Sequence, residues 1–183
     1  MSRQLLRRGV LLLCLLPLLH PLIAAQPQAV SPRPQMALPK IGEEVPLPMI
    51  KKICEFYGLH TLWQKIQRDP PPRPFKSDGC TGWFDDWKGV SLYPAGFLHD
   101  LKYWAGYPGE DVERLAADAE LMVDVARLLG STEMAETMFH GVRLGGAEML
   151  NTPFSWGFGR RKPESAAPAD AKKVAPPSPV SGK

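Results

Sequence analysis

Apolar residues recur every three or four positions along four stretches of this chain, and this spacing predicts amphipathic helices. The predicted helices cover residues 48–66, 93–106, 111–129 and 133–150. No stretch alternates clearly between apolar and polar residues, as a half-buried strand does. The pattern therefore predicts an all-α fold.

Helix-breaking and helix-starting residues mark the ends of these elements. Gly58 predicts an interruption within the first helix. Pro94 and Asp111 suit the first turns of the second and third helices, and Gly130 suits the end of the third. The connection over 106–110 is short, so we expect the second and third helices to be antiparallel neighbours.

Three segments stand out by their glycine or aromatic residues, two of them outside the predicted helices and one within the fourth. Residues 73–93 are expected to form a long ordered loop, and such a loop inside a compact domain is commonly functional. Two further segments, GVRLGG at 141–146 and TPFSWGFGR at 152–160, are distinctive, but their composition assigns no chemistry to them.

Proline is concentrated toward both ends of the chain, and 11 of the 20 prolines lie outside 44–160. Residues 26–43 are expected to form an extended linker. Residues 161–183 almost lack large apolar side chains and are expected to be a disordered tail. This division leaves 44–160 as one helical domain with disordered segments on both sides.

Residues 1–25 have the pattern of a cleaved secretory signal peptide, with a basic start, a leucine-rich run and small residues at the end. The apolar run is shorter than the ~20 residues that a spanning helix needs. Pro17 and Pro21 also interrupt it, so a membrane anchor formed by 9–25 is the less favoured alternative. We expect an exported protein, either periplasmic or secreted.

The net charge of +3 hides an acidic domain between basic ends. Within 44–160, 12 Lys and Arg residues stand against 16 Asp and Glu residues, a balance of −4. A domain that binds nucleic acid is expected to be basic. The charge distribution therefore argues against nucleic acid as a partner, and no protein partner follows from the sequence.

The chain has three cysteines, and Cys14 lies within the predicted signal peptide. In an oxidising compartment the other two, Cys54 and Cys80, most simply form one disulfide. Two cysteines with scattered histidines lack the usual ligand spacing of a zinc site.

Residue types that can carry chemistry are spread over the long loop and the next two helices. They are Asp78-Gly79-Cys80-Thr81-Gly82 in the loop, His99, Asp100 and Tyr103 on the second helix, and Arg114 and Asp118 on the third. His99 and Tyr103 are four residues apart and share one helix face. Asp100 follows His99 in sequence, so its side chain is displaced around the helix axis and is free to point toward the loop. In an antiparallel pair of helices, Asp118 then lies opposite His99.

In order and spacing these residues resemble the secreted phospholipase A2 superfamily, and most closely its bacterial branch. In that family a calcium loop with Gly and Cys precedes a helix that reads His-Asp-x-x-Tyr, and an antiparallel helix supplies an Asp to the His. The loop sequence SDGCTGWFDDW at 77–87 is closer to the bacterial loop than to the animal one. The resemblance covers about 76–126, less than half of the chain.

The resemblance implies a phospholipase A2-like core in which two antiparallel helices carry the site. It implies an enzyme that hydrolyses an acyl ester of a phospholipid, without a covalent acyl-enzyme. His99 would be the general base that activates water. Asp118 would fix the tautomer of its imidazole, and Tyr103 would hydrogen-bond to Asp118.

The resemblance also implies Ca²⁺ as cofactor. Asp100 and the backbone of the loop at Gly79 and Gly82 would supply oxygen ligands, and Asp78 or Asp85 would add a carboxylate. The ion would hold the ester carbonyl and stabilise the negative charge that develops on its oxygen. A phospholipid or membrane surface is therefore the expected partner.

Two departures from the family pattern favour an alternative. Gly96 stands where the family usually has a cysteine three residues before the histidine, and Trp83 and Phe84 replace further glycines of the animal loop. The alternative is a non-catalytic exported module that keeps the fold and binds lipid, cell wall or a protein.

A less favoured alternative is a metal phosphohydrolase in which His60 and Asp124 join the His99-Asp100 pair as ligands. For Asp118, a simple ion pair with Arg114 one turn earlier is the structural alternative. The tryptophans near the proposed site, which are Trp83, Trp87 and Trp104, are expected either in the core or along an acyl slot.

Overall fold

Five helices and two small antiparallel sheets make up residues 36–161, the part of the 183-residue chain that the computed structural model describes. The elements are β1 (Glu44–Val45), α1 (Leu47–Phe56), α2 (His60–Arg68), β2 (Phe75–Lys76), β3 (Asp86–Trp87), β4 (Val90–Ser91), α3 (Tyr93–Ala105), α4 (Asp111–Leu129) and α5 (Thr132–Gly145). A 3-10 helix over Glu148–Leu150 follows α5. The expected mainly helical fold is confirmed.

The expectation of a purely all-α fold is wrong in one respect, because four strands of two residues each form two sheets. β1 pairs with β2, and β3 pairs with β4, both in antiparallel register. A strand of two residues is too short for an alternating pattern, which is why the sequence gives no sign of it. Three of the four strands lie within 73–93, the segment that was expected to form a long ordered loop.

The first predicted helix is two helices, α1 and α2, as Gly58 suggested. Gly58 has a φ of 70°, and the backbone N–H of Leu59 turns back to the carbonyl of Cys54 at 2.7 Å. α2 ends at Arg68, two residues before Pro70, which cannot continue a helix.

The third and fourth helices agree closely with the second and third predicted ones. α3 carries Pro94 in its first turn and stops at Gly106, while Gly130 ends α4 with a left-handed φ of 62°. Contacts run from His99 to Asp118 and from Tyr103 to Arg114, as antiparallel helices require. α4 packs against both α3 and α5.

The last predicted helix is shorter than expected, because α5 ends at Gly145 instead of 150. At Gly146 the chain passes directly against the ring of Tyr103, where an added Cβ would lie 2.6 Å from Cε1. The glycine pair therefore ends the helix and lets the chain approach α3 closely. Ser131 occupies the N-cap position of α5, but its side chain makes no capping hydrogen bond.

The core consists of two main clusters on either side of α3. The first joins α1, α2 and α3 and includes Ile50, Ile53, Cys54, Ile66, Phe75, Phe97, Leu101 and Trp104. The second joins the start of α3 to α4 and α5 and includes Cys80, Leu92, Leu121, Val125, Ala135 and Met138. α3 is buried on most of its circumference, which fixes any side chain that it presents.

The folded unit begins before residue 44, so the expected linker is too long at its C-terminal end. The side chains of Met36 and Leu38 pack against the first cluster, and the hydroxyl of Tyr93 donates to the carbonyl of Pro39 at 2.5 Å. At the other end, the guanidinium of Arg161 is bound by residues 151–156. The signal peptide, the rest of the linker and the rest of the tail lie outside the described residues.

Cys54 and Cys80 do not pair, contrary to expectation. Both are buried free thiols, and they belong to different core clusters. Burial raises the pKa of each thiol to about 12. Within residues 36–161, no helix has the length and apolar character needed to cross a membrane.

Candidate functional site

The imidazole of His99 and the carboxylate of Asp118 form a buried pair between α3 and α4. The Nε2 atom of His99 lies 2.8 Å from Oδ1 of Asp118. His99 is 7% exposed and Asp118 is 0% exposed. The structure therefore brings together the two residues that the sequence predicts as a dyad, and the ring is turned away from bulk solvent.

Asp118 receives hydrogen bonds from two further side chains, and Arg114 lies nearby as an additional cation. The hydroxyl of Tyr103 donates to Oδ1 at 2.6 Å, and Nη1 of Arg143 donates to Oδ2 at 2.8 Å. Nε of Arg114 lies 3.8 Å from Oδ2. Burial by itself raises the pKa of Asp118, but the hydrogen bonds from His99, Tyr103 and Arg143 outweigh it and hold this pKa below its usual value. Asp118 is therefore a carboxylate at neutral pH.

The state of Asp118 fixes the tautomer of His99. An ionised carboxylate can only accept a hydrogen bond, so Nε2 of His99 must carry the proton and Nδ1 keeps its lone pair. Burial lowers the pKa of His99, and the pull of Asp118 in the other direction does not reverse this. The ring is thus held as a neutral base with Nδ1 as its basic atom.

Arg143 on α5 is the residue of this network that sequence reasoning missed. It binds Asp118 with one nitrogen and Asp111, the first residue of α4, with the other at 3.1 Å. Arg114 reaches the same end of α5, where it donates to the carbonyls of Val142 and Arg143 and to the hydroxyl of Tyr103. The segment GVRLGG therefore supplies one side of the site.

Asp100 lies on α3 beside His99 and faces the loop that follows β2. The hydroxyl of Ser77 donates to Oδ2 of Asp100 at 2.6 Å, and the N–H of Gly79 donates to the same hydroxyl at 3.2 Å. The loop closes around Asp85, which accepts from the N–H of Cys80 at 2.8 Å.

The two glycines that were predicted as loop ligands have left-handed backbones, with φ of 81° at Gly79 and 75° at Gly82. At Gly79 there is also no room for a side chain, because a Cβ atom would collide with the carboxylate of Asp85. The carbonyl of Gly79 faces α3, 3.4 Å from where a Cβ would stand on Gly96. The loop thus turns backbone oxygen toward the helix that carries Asp100.

The acidic residues of this loop are compatible with a calcium ion. Burial raises the pKa of Asp100 well above its usual value, and the negative charge of Asp78 raises it further. The carboxyl groups of Asp78 and Asp100, which influence each other electrostatically, and the carbonyl of Gly79 are hard oxygen donors, which suit Ca²⁺ better than a transition metal. Within the described residues, no group of three or more His, Cys, Asp or Glu side chains is arranged to hold a metal.

The predicted site residues, except the fully buried Asp118, line a cavity of about 290 Å³. His99, Asp100 and Tyr103 lie on one side of it, and the loop from Asp78 to Trp83 lies on another. Its apolar walls are formed by Leu121, Met138, Val142 and Phe154, and its glycines are Gly96, Gly141, Gly145 and Gly146 in addition to those of the loop. A neutral base therefore opens onto a largely apolar hollow.

Of the three tryptophans considered for a slot, only Trp83 lines this cavity. Trp87 packs at the edge of the second core cluster, and Trp104 is 2% exposed in the first, with its Nε1 donating to the carbonyl of Arg73. The phosphohydrolase set is not assembled either, because His60 is exposed at the start of α2 and Asp124 pairs with Arg127 at 2.9 Å.

Comparison with models of known protein families, with curated proteins and with solved structures finds no match to this chain. Only the residues of this chain and their geometry therefore indicate what the site does.

Proposed function

We propose that this protein is a phospholipase A2-like hydrolase that cleaves an acyl ester of a phospholipid in a calcium-dependent reaction. The nucleophile is a water molecule that a histidine activates. One observation carries the proposal. The neutral ring of His99, bound to Asp118 through Nε2 at 2.8 Å, lines the same cavity as Asp100 and the glycine loop. This combination supports a phospholipase A2-like core made of α3, α4 and the loop.

In the proposed reaction, Nδ1 of His99 accepts a proton from a water molecule in the cavity. The water oxygen bonds to the carbonyl carbon of the ester, and the bond between that carbon and the alcohol oxygen then breaks. His99 returns its proton to the leaving oxygen, so a fatty acid and a lysophospholipid are released. Asp118 stabilises the imidazolium that exists between these two proton transfers.

Asp100 and Asp78, together with carbonyls of the loop at Gly79 and Gly82, would hold the calcium ion. When bound, Ca²⁺ supplies positive charge that polarises the ester carbonyl and stabilises its developing oxyanion. The protein residues bring the carboxylates together and keep the base neutral. The apolar wall at Leu121 and Met138 suits a hydrocarbon chain.

The test is fatty-acid release from mixed vesicles of phosphatidylcholine and phosphatidylglycerol, with calcium and with chelator. We expect release in calcium only. His99→Gln should lower the rate by about 100- to 10,000-fold, the usual contribution of a general base. Asp100→Asn should abolish the response to calcium.

His60→Gln is the matched control, because His60 is exposed and lies away from the cavity. It should leave the rate unchanged, and the circular dichroism and thermal midpoint of each variant should show that it is folded. Release that persists in chelator, or in folded His99→Gln, contradicts the proposal.

A non-catalytic exported binding module is the second candidate. It is favoured by the hydrogen bond from Ser77 that already occupies Oδ2 of Asp100, and by the absence of a bond between Cys80 and α3. Vesicle binding by the folded wild type, with no fatty acid released in calcium, would favour this candidate.

A further inference from the structure

A second groove opens beside the cavity, and Asp78 and Phe154 line both hollows. The groove has a volume of about 340 Å³. Its other walls are mainly proline and phenylalanine, whereas two cations, Arg73 and Lys76, stand along it. It therefore combines flat apolar walls with positive charge, directly next to the proposed catalytic cavity.

The position of Arg73 is fixed by its backbone. Its N–H donates to the carbonyl of Gly159 at 3.1 Å, and its own carbonyl accepts from Nε1 of the buried Trp104 at 2.7 Å. Arg73 is thereby tied to α3 and to the C-terminal segment TPFSWGFGR at once. A guanidinium on such an anchored backbone loses less conformational entropy when it binds a ligand.

The charges of the groove are poorly compensated by the protein. Within residues 36–161, no carboxylate forms an ion pair with Arg73. Lys76 has only Glu44, at 3.7 Å and with both side chains more than half exposed, which is a weak pair. Asp78 is the one acid in the lining, and Thr81 already donates a hydrogen bond to it.

A third cation adds to the positive potential on this side. Arg161 is bound by the carbonyls of Ser155 and Trp156, and its Nε is buried without a hydrogen-bond partner. Burial lowers the pKa of Arg161, the negative charge of Glu148 partly opposes this, and the positive charge of Arg73 lowers the pKa further. Cations that repel one another beside an open groove are a typical arrangement for binding an anion.

We propose that Arg73 and Lys76 form a phosphate-binding subsite. Arginine binds phosphate through two parallel N–H bonds, and lysine adds a point charge. The identity of this phosphate rests on the proposed function. If the protein hydrolyses a phospholipid, the phosphate is that of the phospholipid whose ester lies in the adjoining cavity. A substrate of this kind carries its ester and its phosphate on one glycerol unit, which matches two hollows with a shared wall.

Binding is tested first without any reaction, by titrating the full chain with glycerol 3-phosphate in chelator and following the backbone N–H signal of residue 73, which every variant retains, by NMR. We expect a saturable shift that is lost in the Arg73→Gln, Lys76→Gln double variant. The matched control is Arg68→Gln with Lys52→Gln, which removes the same charges from exposed positions outside the groove. An unsaturable shift, or an equal response in both double variants, overturns the subsite.

The source of the phosphate is tested second, with dihexanoylphosphatidylglycerol and the diacylglycerol of the same chain length as substrates. The groove variant should raise KM for the phospholipid about tenfold or more, with kcat unchanged. It should leave the diacylglycerol unaffected. If glycerol 3-phosphate binds but KM for the phospholipid does not change, the site takes free phosphate and its assignment to the headgroup is wrong.

The two hypotheses fail separately in these experiments. A wild type that shows the saturable Arg73 shift but hydrolyses neither substrate keeps the phosphate subsite and overturns the enzyme. A wild type that hydrolyses the phospholipid but shows no shift keeps the enzyme and overturns the subsite.

Discussion

Asp118 on α4 is hydrogen-bonded to side chains of both α3 and α5. It is fully buried and accepts hydrogen bonds from His99, Tyr103 and Arg143. A buried carboxylate is stable only when such donors replace its water, so each donor also fixes the direction of its oxygens. The orientation of His99 therefore depends on Arg143, although Arg143 does not line the cavity.

We predict that Arg143→Gln lowers kcat of the proposed hydrolysis by about 10- to 100-fold, the loss expected for a hydrogen bond to a charged group. KM should stay unchanged, because the side chain is not in the cavity wall. Arg143→Lys should recover part of the rate. Steady-state kinetics on a short-chain phospholipid provide the measurement.

Arg127→Gln is the control for this prediction, since it removes an arginine ion pair with Asp124 from α4, outside the site. If both glutamine variants lower kcat equally, Arg143 has no special role in positioning Asp118. A rise in KM with unchanged kcat also contradicts that role.

A second residue-scale prediction concerns Gly96, which lies on α3 against Cys80 of the loop. A Cβ on Gly96 would lie 2.9 Å from Sγ of Cys80. In a disulfide, a Cβ lies about 3 Å from the partner sulfur, so Gly96→Cys should form a bond with Cys80 without moving the backbone. The closed loop should raise the free energy of unfolding by about 3 kcal/mol.

Thiol titration in denaturant measures the bond directly. After oxidation, Gly96→Cys should contain one free thiol fewer than the wild type, although it has one cysteine more. Gly96→Ala is the control because it adds the same Cβ without a sulfur, and crowding against Cys80 should destabilise it by about 1–3 kcal/mol. One thiol more than the wild type would refute the geometry.

At the scale of elements, α5 completes the site by approaching α3 closely. Its last turn carries Arg143 to Asp118, and Gly146 immediately after it packs on the ring of Tyr103. A side chain at Gly146 would have to move either this turn or the tyrosine. Packing of α5 and the hydrogen bond from Tyr103 to Asp118 are therefore coupled.

We predict that Gly146→Ala lowers the free energy of unfolding by about 1–3 kcal/mol, because its Cβ would stand 2.6 Å from the Tyr103 ring. Gly141→Ala, inside α5, is the matched control. A Cβ there meets nothing within 4 Å, so the variant should be more stable by about 0.5–1 kcal/mol. Urea unfolding followed by circular dichroism measures both, and equal effects would contradict the close approach.

Local signals explain which elements the sequence could predict. Pro94 and Gly106 bound α3, and Asp111 and Gly130 bound α4, so helical spacing and end signals agree there. The contact between His99 and Asp118 follows from one short connection between these helices. It is predictable because so little chain separates them.

The remaining parts depend on packing between distant segments. Each strand has only two residues. β1 and β2 also lie about 30 positions apart in the sequence. Arg143 reaches Asp118 across 25 residues, and nothing in GVRLGG indicates which helix it will meet. The glycines around Arg143 are the one sequence feature that indicates close packing of this segment. They do not indicate which helix it packs against.

At the scale of the whole molecule, the site is built into the cooperative core. α3 contributes to both core clusters, and His99 and Tyr103 lie on the part of it that faces α4. The charges around Asp118 can therefore be desolvated only when the entire unit is folded. Global stability and the ionisation of Asp118 are consequently linked.

This linkage predicts how stability depends on pH. The pKa of Asp118 in the folded protein lies below its usual value, so the stability that the carboxylate contributes is fully present above about pH 3.9, the pKa of an unfolded aspartate. It is lost as the pH falls through the folded pKa. Asp118→Asn should cost about 3–5 kcal/mol at neutral pH, because it leaves Arg143 and Arg114 without their buried partner.

Urea midpoints measured from pH 7 down to strongly acidic pH test this prediction. The difference in the free energy of unfolding between His99→Gln and the His99→Gln, Asp118→Asn double variant should stay constant down to about pH 4 and shrink below it, because acid removes the charge of Asp118 from the first variant and the titration of His99 is absent from both. Glu136→Gln, which replaces an exposed carboxylate on α5, is the control for loss of a carboxylate and should change the free energy of unfolding by less than about 0.5 kcal/mol at neutral pH. A difference that grows in acid, or that begins to shrink above pH 5, would mean that Asp118 is not held ionised by its three donors.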